Sequence, residues 1–196
     1  MELSLDFNKQ YSYADYLTWI DDKRRELING FVRMMLPAPT KAHASVSGNI
    51  VYEMQYYSRL HGGPCQVFYA PFDVRLPKNG EREDDKLYNV VQPDICVVCD
   101  PNKLDERGCL GAPDLIVEIL SKSNRQYDLH DKYMLYEKSG VQEYWVVEPK
   151  YKDVTVYLLG EDGKYAEGKY YEGKALIPVH VLPGLELDTE DIFKGV

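Results

Sequence analysis

The sequence predicts an α/β fold of the α+β kind, with central strands covered on both faces and a β-hairpin toward each end of the chain. Three observations predict it. Asp94-Ile95-Cys96-Val97-Val98-Cys99 and Asp114 to Leu120 are short, nearly continuous apolar runs, each entered by a proline, the pattern of strands buried on both sides. A helix-length stretch separates the second run from the apolar Tyr144-Trp145-Val146-Val147, so strand, helix and strand follow in order. Asn29-Gly30 and Asp162-Gly163 stand between β-type runs, and both dipeptides suit the positive-φ turn of a tight hairpin.

From the N-terminus, Ser12 followed by Ala14, Tyr16, Leu17, Trp19 and Ile20 reads as a short, capped amphipathic helix. Glu26-Leu27-Ile28, Asn29-Gly30 and Phe31-Val32-Arg33-Met34 make the first hairpin. Pro37 and Pro39 then break the chain. Thr40 caps a long helix to about Leu60, in which Val46, Ile50, Met54 and Tyr57 recur at helical spacing, and Gly62, Gly63 and Pro64 stop it. Val67-Phe68-Tyr69 and Phe72 to Leu76 read as strands, and Pro77 to Leu87 as a charged loop, expected to be the least ordered segment. Beyond the central runs, Asp128 caps a helix through about Ser139, ended by Gly140. Val154 to Leu158 and Tyr165 to Tyr171 supply the C-terminal hairpin.

The chain's 196 residues suit one domain over residues 1–196, large enough to bury a core without a structural metal. Its opening segment, MELSLDFNKQYSYADY, has neither a basic start nor an apolar run, and no stretch is long enough to span a bilayer. The expectation is a cytoplasmic protein with no membrane partner and four reduced cysteines. A net charge of −9 argues against a protein that coats nucleic acid non-specifically. It is compatible with an enzyme whose carboxylate cluster carries a local basic rim, such as Lys122, Arg125 and Lys132.

Three carboxylates interrupt the apolar runs. Asp94 and Asp114 open them, and Glu118 lies in the middle of Leu115-Ile116-Val117-Glu118-Ile119-Leu120. Burying an ionised carboxylate alone costs several kcal/mol, so Glu118 needs a cation, a metal or a proton. Alternation puts Asp114, Ile116, Glu118 and Leu120 on one strand face. If the strand of Asp94 is a neighbour, two or three of these acids can converge on one cation, and an all-oxygen set suits Mg²⁺ or Mn²⁺. Such an ion can activate water against a phosphodiester. Structural alternatives stand beside this: hydrogen bonds in Pro-Asp turns for either aspartate, and an ion pair with Lys or Arg for Glu118.

Glu26-Leu27-Ile28-Asn29-Gly30, Gln92-Pro93-Asp94-Ile95, Gly111 through Glu118 to Ser121, Tyr136 through Gly140 to Glu143-Tyr144-Trp145, and Leu182-Pro183-Gly184-Leu185 together closely resemble the Uma-two family of restriction-endonuclease-like proteins. The resemblance runs over nearly the whole chain. It implies a PD-(D/E)XK core, a mixed sheet with flanking helices, that hydrolyses DNA with Mg²⁺. Pro93-Asp94 resembles the PD element and Glu118 the following acid, whereas the lysine expected two residues later is Leu120. Similar proteins bring that lysine from a helix, which singles out Lys132; Lys122 is nearer in sequence. Such a lysine orients the attacking water or offsets transition-state charge. Glu26 and His43 also sit where the family motifs do.

The resemblance therefore implies Asp94 and Glu118 as metal ligands, Asp114 assisting, and Lys132, Glu26 and His43 completing the catalytic set. DNA is the partner, and cutting both strands suits a homodimer. Leu120 favours a different class, a catalytically inactive nuclease-fold module that binds nucleic acid or a protein. Cys96-Val97-Val98-Cys99 has CxxC spacing, but residues three apart on a strand face opposite ways, so buried free thiols are expected rather than zinc. Neither a phosphate-binding loop nor a Gly-x-Ser-x-Gly elbow is present.

Overall fold

In the computed structural model, which describes residues 4–35, 39–121 and 128–196, the first helix begins at a reciprocal cap. Ser12 accepts the Asp15 backbone N–H, and the Asp15 carboxylate accepts that of Ser12. Helix α1 (Tyr13–Tyr16) then ends after one turn instead of reaching Ile20. Ile20 is 95% exposed, so no core rewards a longer helix. Strands β1 (Arg25–Ile28) and β2 (Phe31–Met34) pair antiparallel, with Asn29 at φ 51° and Gly30 at φ 82° in the turn. A Cβ at Gly30 would also lie 3.0 Å from the Gln10 Cβ.

Thr40 accepts the His43 N–H at 3.2 Å and caps α2 (Lys41–His61), which buries Val46, Ile50 and Met54 on one stripe. Strands β3 (Gln66–Tyr69), β4 (Val74–Arg75), β5 (Val90–Val91), β6 (Ile95–Val98), β7 (Leu104–Asp105), β8 (Gly108–Leu110) and β9 (Leu115–Ile119) follow. A π-helical turn, Asp128–Lys132, leads into α3 (Tyr133–Ser139), which Gly140 ends in the left-handed conformation. Then come β10 (Glu143–Glu148), β11 (Asp153–Leu158), β12 (Lys169–Tyr171), β13 (Leu176–Pro178), β14 (Glu186–Asp188) and α4 (Thr189–Ile192).

The sheet that holds the expected central runs is mixed, in the order β12-β11-β10-β9-β6-β3. Strands β9 and β10 are parallel, with α3 in the crossover, and the other pairs are antiparallel. Its middle strands alternate between two cores. Ile95, Val97, Leu115, Val117, Trp145 and Val147 pack toward α2, whereas Cys96, Val98, Ile116, Leu120, Tyr144 and Val146 pack toward α3. A second six-stranded sheet, β2-β1-β5-β4-β8-β7, carries the N-terminal hairpin, and β13 pairs with β14 separately.

Three expectations are corrected. The last hairpin strand is interrupted: Tyr165 forms an isolated antiparallel bridge with Leu159, its backbone N–H goes to the Glu137 carboxylate at 2.9 Å, and the regular ladder with β11 covers only Lys169–Tyr171. The charged segment from Pro77 to Leu87 is tied down, since Asp84 bonds Arg107 at 2.6 Å and Leu87 is fully buried. Cys99 is not a free thiol but is bonded to Cys65, while Cys96 and Cys109 are free and buried. Among the described residues no helix is long and apolar enough to cross a membrane.

Candidate active site

Glu118 stands on the β9 face that Ile116 and Leu120 fill with apolar contacts, and it is 3% exposed. A charge so placed needs compensation, and the fold brings it from two directions. The Lys132 Nζ lies 2.9 Å from Glu118 Oε1 and 3.0 Å from Glu26 Oε1. Glu26 comes from β1 in the other sheet and accepts the Gln92 backbone N–H at 2.8 Å. All three side chains are nearly sealed from solvent, so these contacts act at much lower screening than a surface pair.

Tyr136 reinforces the cluster by donating its hydroxyl to Glu118 Oε1 at 2.6 Å. It lies four residues after Lys132, where a helix presents both to one side, and the π-helical turn is what delivers Lys132 to that seam. Burial pushes the Tyr136 phenol well above its usual pKa, and the charges of Glu118 and Glu26 push it further. It remains a neutral donor. Burial likewise raises the Cys96 thiol, with Cys109 and Glu118 adding to the effect.

Asp94 lies one residue beyond the last β6–β9 ladder pair, Ile95↔Val117, and is therefore level with Glu118. Its Oδ2 accepts the Ile119 N–H at 2.7 Å and lies 3.2 Å from His43 Nε2, which the first turn of α2 supplies. At 19% side-chain exposure Asp94 is the acid that reaches toward solvent. Asp114 is elsewhere. It sits at the other end of β9, roughly 13 Å along the strand from Glu118, and its Oδ2 accepts the Cys99 N–H at 2.7 Å.

The structure thus joins Glu26, Glu118 and Lys132, places Asp94 and His43 beside them, and leaves Asp114 apart. Lys122 and Arg125 lie outside the described residues. Among the described residues no three His, Cys, Asp or Glu side chains form a ready metal cage. The roles of Tyr136 and of the Gln92 backbone were not anticipated. The spacing of Tyr136 from Lys132 could have revealed the first, but the second depends on how β1 meets β5 and no local pattern announces it.

A family model described as "Uma2: Putative restriction endonuclease" matches residues 13–190. An uncharacterized protein of Synechocystis sp. is 24% identical over 188 residues, covering 94% of this chain and 92% of that protein. The crystal structure of a protein of Anabaena variabilis, described as a putative nuclease of DUF820, superposes with a TM-score of 0.74 at 21% identity. The match covers 93% of this chain and 97% of that one.

Proposed function

The chain belongs to the Uma2 family, and on that premise we propose that it is a divalent-metal-dependent endonuclease that hydrolyses phosphodiester bonds in DNA. The observation that carries this reading is Lys132 between Glu26 and Glu118. A helix supplies the cation that Leu120 cannot, which answers the feature that favoured an inactive module.

The residues fit a hard cation. Mg²⁺ commonly takes only one or two protein carboxylates and completes its shell with water and phosphate oxygens, so a pre-built cage of three acids is not required. Asp94 and Glu118 would hold it, and when bound it would polarise the phosphate and activate water. Lys132, held between two acids, directs its ammonium at the nucleophile or at charge building on the phosphate. Glu26 aims Lys132, Tyr136 fixes Glu118, and His43 orients Asp94, the outer partner that a ligating carboxylate needs. Asp114 has no part in the chemistry. A homodimer would bring one such site to each strand of a duplex.

Calorimetric titration of Mn²⁺ into the wild type and into the Asp94→Asn, Glu118→Gln double variant tests the site, with nicking of supercoiled DNA as the activity readout. Binding and nicking that both vanish in the double variant, while its melting remains cooperative, support the reading. A double variant that still nicks DNA refutes it.

A further inference from the structure

Between the tip of the β1–β2 hairpin and the outer side of α3 runs an open groove of about 610 Å³. Ile28 and Leu135 are among the residues that line it. Ile28 follows Glu26 by two residues on the same face of β1, and Leu135 follows Lys132 by about one helical turn. The groove therefore continues the seam in which Glu26 meets Lys132, starting roughly 7 Å further along the strand.

Its charge is opposite to that of the chain. Arg33, Lys78 and Lys138 line it from three separate segments, against one lining carboxylate, Asp131, in a protein whose net charge is −9. Asp131 already faces Arg33 at 3.9 Å and His130 at 3.1 Å. Lys78 and Lys138 are both exposed on the groove's walls. Phe31 and Met134 are each 37% exposed there, an apolar contribution that a small phosphate ester would not need.

We propose that this groove is the track for the nucleic-acid backbone next to the bond being cut, with Lys78 and Lys138 contacting phosphates and Phe31 and Met134 lying against sugars. The inference rests on the nuclease reading and adds to it the surface on which the strand lies, bound across several phosphates. Positive charge from distant segments, gathered beside a carboxylate–lysine cluster on an acidic protein, provides the local field that a polyanionic strand requires.

The test is fluorescence-anisotropy binding of a labelled mixed-sequence DNA duplex, without metal, over a series of salt concentrations, for the wild type and the Lys78→Ala, Lys138→Ala variant. Two lost phosphate contacts should lower the slope of log affinity against log salt by about 2. The affinity should fall about tenfold, with KM for cutting raised and the rate at saturating DNA kept. Both lysines are exposed, so melting should not change. An unchanged affinity and slope in the variant, while the wild type binds and cuts DNA, overturns the groove and spares the nuclease. Wild-type binding that shows the predicted loss in the variant, without cutting, upholds the groove and overturns the nuclease. No binding by the wild type overturns both.

Discussion

Pro93-Asp94 and Pro113-Asp114 are the same dipeptide at opposite ends of one antiparallel strand pair. Each aspartate caps the neighbouring strand with its Oδ2, on Ile119 N–H and on Cys99 N–H respectively, both at 2.7 Å. As local structure they are equivalent. What separates them is what the fold delivers to each end. His43 from α2, Lys132 from the turn before α3 and Glu26 from β1 gather around the Asp94 end. At the other end are the Cys65–Cys99 bond and the Glu143 backbone N–H, which donates to the Asp114 carbonyl at 3.0 Å. A Pro-Asp turn is structural by itself, and convergence of distant segments makes only one of the two a candidate site.

Glu118 and Glu143 repeat the contrast on neighbouring strands. Glu143 is also fully buried, but its donors are the Trp145 indole at 2.8 Å and the Val181 N–H at 3.0 Å, with the half-exposed His180 at 3.5 Å. It fastens the segment before β14 to the sheet. Glu118 receives an ammonium and a phenol beside a second carboxylate, an arrangement poised for charge, not for tethering.

The contrast can be broken by substitution. Lys132→Met should have the largest effect: it leaves two buried carboxylates without their cation, costing about 3–5 kcal/mol in urea unfolding and lowering nicking by about 10²–10³-fold. His43→Asn should slow nicking by about 10–100-fold, the usual effect of losing a ligand's outer partner, with little change in melting. Glu143→Ala should do the reverse, costing about 1–3 kcal/mol by orphaning the Trp145 and Val181 donors and leaving the nicking rate of the folded protein unchanged.

The smallest effect concerns Asp73, whose carboxyl burial holds above its usual pKa against the hydrogen bonds from Gln92 and Tyr13. Because the folded value is raised, this group's contribution is complete below the unfolded pKa, about 4, and is lost as pH rises through the folded one. Asp73→Asn should therefore flatten the stability profile just above that pH, as measured by unfolding across an acid series. A variant profile parallel to that of the wild type would contradict this.

Much of the fold was legible because it is written in short-range chemistry. The Asn29-Gly30 turn, the Thr40 cap, the Gly140 stop and the doubly apolar runs of β6 and β9 each follow from their own residues. Glu118 was legible for the same reason, as a charge inside an apolar run. Its partners Glu26 and Lys132 were named only through the family resemblance, since Glu26 lies in another sheet and Lys132 closes a π-helical turn that no periodicity forecasts. Asp114 stands apart from Glu118 because alternation fixes a face but not a distance along it. The Cys65–Cys99 bond escaped because spacing draws attention to cysteines three apart, whereas this pair is separated by 34 positions.

The central claim is that the Asp94 end of the β6–β9 pair is the chemical one, and its most direct test is nicking of supercoiled DNA in Mn²⁺ by the wild type, Asp94→Asn and Asp114→Asn side by side. The account predicts nicking by the wild type and Asp114→Asn at similar rates and none by Asp94→Asn, with all three melting cooperatively. Loss of nicking in Asp114→Asn with retention in Asp94→Asn, or equal rates in all three, would contradict it.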